Sequence, residues 1–198
     1  MANKGILTRQ NITKKSLQVF SVKGYFNTSI SDILEATGLT KGGLYGHFAS
    51  KEDIWYAVYD EAVKIWRTIV FKDIKNISNP LERIEVTIEH HLTNYLGEDV
   101  FDGGCFFVNM LVEISGQSEK MSNHILRGFV QFSRLLRTWL EDAGDKGLLK
   151  EGLNYREISN FIIISLNGAA TLYSASKDIS IWKETITQMR FYIDQLKR

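Results

Sequence analysis

Between Phe26 and Asp53 the chain gathers hydroxyl, ammonium, phenol and imidazole groups at close spacing. They are Thr28, Ser29, Thr40, Lys41, Tyr45, His47 and Lys51, with the pair Gly42 and Gly43 among them. The chemistry these groups share is hydrogen bonding to phosphate oxygens. Thr28 and Ser29 stand where a helix is expected to begin, and free N–H groups and the helix dipole favour an anion there. Thr40 and Lys41 open a second short helix, whose first residues can reach base edges in a major groove. Gly42 and Gly43 each cost a helix roughly 1 kcal/mol relative to Ala. The pair makes sense where a side chain would hold the helix away from a duplex. Tyr45 and His47 can bond phosphates from the same helix, and Lys51 can reach another.

Charge is distributed in keeping with that chemistry. Met1 to Lys51 holds seven basic residues against Asp32 and Glu35, a balance of +5. The remainder holds 17 basic against 21 acidic, so the net charge of +1 hides a basic head on an acidic body. Apolar residues make up 44% of 198, enough for a folded core. A single cysteine excludes an internal disulfide and fits a reducing compartment. The N-terminus has no apolar signal core, and the best apolar run, Phe161 to Leu172, is interrupted by Ser165, Asn167 and Gly168. A cytoplasmic protein with no membrane partner is expected.

Enzyme chemistry finds little support. His47, His90, His91 and His124 form no metal-ligand spacing, and adjacent His90 and His91 would point about 100° apart on a helix. Glu85 and Glu89 lack the Glu-x-x-His partner of a di-metal bundle. There is no phosphate-binding glycine loop and no nucleophile elbow. No catalytic residue, metal or cofactor is expected.

The elements that must position these groups are helical throughout, so the fold class is all-α with about nine helices. A first helix is expected over about Arg9 to Lys23, stopped by Gly24. Ser29 caps a second, through Thr37, and Gly38 turns the chain into a third, from about Thr40 to Gly46. Ser50 caps a long connector running to about Lys75. Asn79-Pro80-Leu81-Glu82 restarts the chain in a fifth helix, ending near Gly97. A sixth spans about Cys105 to Ser115, a seventh begins near Ser118, Asn154 opens an eighth and Ser180 a ninth. Residues 1–48 then form a helix-turn-helix DNA-binding domain, and residues 49–198 a helical ligand-binding and dimerisation domain.

Gly24-Tyr25-Phe26-x-Thr28-Ser29-Ile30-x-Asp32-Ile33, followed by Gly38-Leu39-Thr40-Lys41-Gly42-Gly43-Leu44-Tyr45-x-His47-Phe48-x-Ser50-Lys51-Glu52, resembles the signature of TetR/AcrR-type transcriptional regulators. The match is dense and ordered but covers only the N-terminal quarter. The resemblance implies a homodimer on double-stranded operator DNA, a tendency to repress, and release by a small molecule bound in a pocket among helices four to eight. The apolar eighth and ninth helices are candidates for the dimer surface. Trp66, Tyr95, Phe106, Phe132 and Trp139 are candidate ring walls for a pocket binding an apolar or aromatic ligand. His91, Asn109 and Asn167 interrupt apolar faces and could orient that ligand. Gly104-Cys105-x-x-x-Asn109 is similar to a pattern in an electrophile-responsive subgroup, and a helix N-terminus lowers a thiol pKa. Two alternatives follow: a thiol-based electrophile sensor using Cys105, or a helical ligand-binding protein whose DNA unit is idle.

Overall fold

The computed structural model describes residues 2–198, and these fold into nine α-helices. They are α1 (Ala2–Lys23), α2 (Ile30–Thr37), α3 (Lys41–Tyr45), α4 (Lys51–Val70), α5 (Pro80–His90), α6 (Phe106–Ile114), α7 (Glu119–Asp145), α8 (Tyr155–Ser176) and α9 (Ile179–Leu196). Most starts are fixed by a side chain that satisfies a free N–H of the first turn. Ser29 and Asp32 form a reciprocal capping box on α2, Ser50 receives Asp53 N–H at 3.0 Å, and Asn79 receives Leu81 N–H at 2.9 Å ahead of Pro80. Gly38, in the left-handed conformation at φ 68°, ends α2 by donating its N–H to Leu34.

Four boundaries differ from expectation. α1 begins at Ala2; Ile6 and Leu7 near its start are exposed, so they mark no buried face by which the sequence would announce these turns. α4 stops at Val70; Asp73, at φ 59°, breaks the helix and a short 3-10 turn covers Ile74–Asn76. The fifth helix does not run as a uniform α-helix to Gly97: from His91 to Gly97 it widens into a π-helical turn. α9 starts at Ile179, capped by Asp178 and not opened by Ser180, because Lys177 leaves α8 in the left-handed conformation and Asp178 is already extended.

Packing follows the buried faces. α1 lies against α2 and α4, while α7 pairs with α8 and α5, and α8 with α9. Ile12, Phe20, Ile33, Leu44 and Phe48 fill the small core of the head. Trp55, fully buried on α4, links it to the body: it stacks on Tyr59 at 5.5 Å and meets Tyr25 edge-on at 6.5 Å. α8 is long and apolar enough to cross a membrane by length and composition alone, because the helix extends well beyond the interrupted run seen in the sequence. In this fold it packs between α7 and α9. Phe161, Ile164 and Leu172 of α8 and Phe191 of α9 remain exposed.

Candidate nucleic-acid interface and ligand cavity

α3 is presented to solvent by the turn that precedes it. Leu44 is its buried residue, whereas Lys41, Gly42 and Tyr45 are exposed, and Thr40 caps the helix by accepting Gly43 N–H at 3.2 Å. Nothing lies within 4 Å of the position a Gly42 Cβ would occupy. The protein itself therefore does not require glycine there. His47 is half-buried, with its backbone carbonyl receiving the Arg9 guanidinium. Ser29 is exposed, and its hydroxyl accepts Asp32 N–H while donating to the Asp32 carboxylate at 2.7 Å. Lys23, at 2.6 Å, and Ser29 together hold that carboxyl well below the usual carboxylate range.

Two expected phosphate contacts are spent inside the protein. Thr28 is fully buried, and its hydroxyl donates to Gly24 O at 2.6 Å. The left-handed turn at Gly24 folds that carbonyl back over the side chain. The Lys51 ammonium donates to Tyr25 O and Thr28 O, both at 2.9 Å, and lies 4.4 Å from the centre of the Tyr25 ring. Partial burial pulls its pKa down. Lys51 pins the start of α4 to the turn between α1 and α2, which is a positioning role.

The same turn is gripped from the body. Glu113, in the last turn of α6, accepts the N–H groups of Tyr25 and Phe26, each at 2.8 Å. A Cβ on Gly24 would stand 2.6 Å from the Glu113 carboxylate, so this glycine answers both its positive φ and the close approach. Gly103, in the loop before α6, runs directly over Ser21 O of α1, and a Cβ there would overlap that oxygen.

Behind α4 lies a cavity of about 330 Å³, bounded by α4, α6, α7, α8 and the π-helical turn. Its inner wall is built of rings: Tyr59, Trp66, Phe107, Phe129 and Phe132, with Phe71 beside them. Gly128 of α7 makes room for one of these, since a Cβ there would meet the Tyr59 hydroxyl at 2.5 Å. Exposed Asp60, Arg67, Arg127 and Gln131 stand at the outer edge, between α4 and α7. His91, the first residue of the π turn, is buried among Trp66, Tyr95 and Phe132 and receives the Trp66 indole N–H on Nδ1 at 3.1 Å. Burial pushes its pKa down to about 4, so the ring is neutral. Among the described residues no group of three or more His, Cys, Asp or Glu side chains comes together to hold a metal ion.

Residues 12–58 match the family described as bacterial regulatory proteins of the tetR family, and residues 80–189 match the tetracyclin repressor-like C-terminal domain. The chain belongs to the TetR family. It is a helix-turn-helix transcriptional regulator that binds DNA. It is 31% identical over 165 residues to the HTH-type transcriptional repressor DhaR of Mycobacterium sp. strain GP1, covering 81% of this chain and 79% of that one. It is 24% identical over 182 residues to IcaR of Staphylococcus aureus, a negative regulator of the biofilm operon icaADBC, covering 92% of each. A TetR transcriptional regulator from Chloroflexus aurantiacus J-10-FL superposes with a TM-score of 0.92 at 26% identity, over 99% of this chain and 98% of that one.

Within this TetR-family fold, the expected ligand-binding residues divide. Trp66, His91, Cys105, Phe132 and Asn167 line the cavity. Tyr95 lies behind it, with its hydroxyl donating to the Cys105 sulfur at 3.8 Å, and Phe106 packs on Phe101 and Phe107. Asn109 donates to Gly103 O at 2.7 Å and holds the glycine loop over α1. Trp139 and Arg83 line an adjoining, more open groove that shares Arg67 and Phe71 with the cavity. Cys105 is buried, and burial pushes its thiol up, outweighing the field of the helix it precedes. Burial thus works against the thiolate that the electrophile-sensor alternative needs. Tyr59, Phe107 and Gly128 were not singled out as cavity residues; the signal available for Tyr59 was its place one turn after Trp55 on an amphipathic helix.

Proposed function

We propose that this regulator is a dimeric repressor that leaves a pseudo-palindromic operator when a small molecule fills the cavity behind α4. The domain division at residue 48 serves that reading: α1–α3 carry the DNA contact and the remainder carries ligand and partner. Thr40, Lys41, Gly42, Gly43 and Tyr45 face the major groove, with Ser29 and His47 at flanking phosphates and Lys51 in support. Two copies meet through α8 and α9, where exposed Phe161, Ile164, Leu172 and Phe191 form an apolar face. Paired recognition helices then sit on half-sites about 34 Å apart or a multiple of it.

The observation that carries this reading is Glu113. α6 borders the cavity near its start, through Phe107, and ends on the amides of Tyr25 and Phe26. A change at the cavity wall thus acts directly on the head. The test is a mobility shift with DNA flanking the protein's own gene, at two salt concentrations and with competitor DNA. Specific, salt-sensitive binding with a dimer footprint is the expected result. Binding that is weak and blind to sequence would overturn the proposal for that DNA. The fold would still stand.

A further inference from the structure

One buried polar atom in the cavity wall has no partner. His91 is 6% exposed, and its Nε2 has no hydrogen-bond partner, although the ring lines the cavity. Its other nitrogen is committed. The Trp66 indole N–H can only donate, so Nδ1 must offer a lone pair and the proton must sit on Nε2. A proton on Nδ1 would face the indole N–H donor to donor. Trp66 therefore fixes the tautomer of the neutral ring. A buried donor without an acceptor costs roughly 1–3 kcal/mol, and native proteins carry few of them. The backbone around it is unusual as well: His91 opens a seven-residue π turn, a conformation found often at functional sites.

The rest of the wall narrows the chemistry. The inner surface is ring-bearing, and the arginines that also line the cavity, Arg67 and Arg127, are exposed to water. A carboxylate seated at His91 would lose its water to a neutral ring, whereas a neutral acceptor oxygen loses far less. The volume of about 330 Å³ is about twice that of a cavity of about 150 Å³ that admits benzene, so a substituted ring fits with room to spare.

Building on the reading of this cavity as the effector site, we propose that its ligand is a small, neutral ring compound carrying one carbonyl-type oxygen, which accepts the His91 Nε2 hydrogen bond. Trp66 is the positioning residue for that bond, and the aromatic wall holds the ring.

The test uses the full-length protein and two probes of nearly equal size, acetophenone and cumene, with benzoate as a third. Calorimetric titration is expected to give acetophenone about tenfold tighter binding than cumene, the scale of one neutral hydrogen bond. Benzoate is expected to bind more weakly than acetophenone. In His91→Phe the preference disappears while cumene is retained. Long-range nitrogen–proton correlation NMR of the wild-type protein, which needs no variant, is expected to show the His91 proton on Nε2 and a shift of that signal with acetophenone but not with cumene. Trp66→Phe is expected to lose the single tautomer. Cumene binding with no gain for acetophenone would overturn the donor role and leave the cavity reading intact. Binding of neither probe to the wild-type protein would overturn both.

Discussion

His91 makes the stability of this protein depend on acid in a way that can be worked out in advance. In the folded state burial holds its pKa near 4, whereas its ordinary value is 6.5. The cause is burial alone, among the rings of Trp66, Tyr95 and Phe132. Unfolding releases the ring to water, where it takes a proton below pH 6.5. Between these two values the unfolded state binds more protons, so stability rises with pH and is lost as pH falls. At 1.36 kcal/mol per pKa unit, the loss relative to neutral pH is about 1 kcal/mol at pH 6, about 2 at pH 5 and about 3 at pH 4. Below the folded value the loss levels off.

His91→Gln isolates this effect, because the amide can still accept the Trp66 hydrogen bond and does not titrate. Urea unfolding of both proteins at pH 7, 6, 5 and 4, at one protein concentration, gives the difference directly. Other groups, such as half-buried His124, whose pKa burial also lowers, contribute to both curves and cancel. The expected outcome is a gap that moves by about 3 kcal/mol in favour of the variant from pH 7 to pH 4. Curves that stay parallel would refute the argument that His91 is held neutral in the folded protein.

Four further outcomes are expected. Gly42→Ala should raise the stability of the head by up to about 1 kcal/mol, because the added methyl meets nothing, and yet weaken operator binding; thermal melts and mobility shifts give the two readings. Lys51→Met should lower stability and affinity without changing the salt dependence of binding, whereas a lost phosphate contact would reduce the slope of log K against log salt by about 1. The Cys105 thiol should react with a disulfide reagent far more slowly in the native protein than in urea, and Cys105→Ser should keep its effector response. Glu113→Gln should retain operator binding but blunt release by effector, as read by anisotropy of labelled operator with and without ligand.

Much of the fold could be read locally because helix starts are local chemistry. Ser29, Ser50, Asn79 and Asn154 each announce a helix within four residues, and the structure uses all four as caps. The head motif was legible for the same reason. What escaped depends on contacts far apart in sequence. Thr28 and Ser29 read alike, but Gly24 folds the chain so that one is buried and the other exposed. Trp66, Tyr95 and Phe106 are all inward-facing rings, and only the arrangement of five elements decides that Trp66 meets the cavity and the other two meet the core. Glu113 reads as a charge at the end of an apolar helix; its partners lie 87 and 88 residues away. The π turn carries no sequence signal of its own, so the position of His91 at its start could not be inferred.

The size of the ties at the Tyr25–Thr28 turn bears on how a ligand could act. Lys51 holds this turn from α4 and Glu113 holds it from α6, and both helices border the cavity. A ligand that spreads α4 from α6 pulls the turn in two directions, and the head can follow only one of them. A hydrogen bond to a charged group contributes about 1.5–3 kcal/mol, less where water reaches it, as at the exposed Phe26 amide. The coupling needed to change operator affinity roughly 5–150-fold is about 1–3 kcal/mol. Loss or lengthening of a single bond at Glu113 is therefore enough, and rupture of the head core is not required. This is why Glu113→Gln is expected to separate operator binding from release: it weakens the link through which the cavity is felt while leaving the exposed face of α3 untouched.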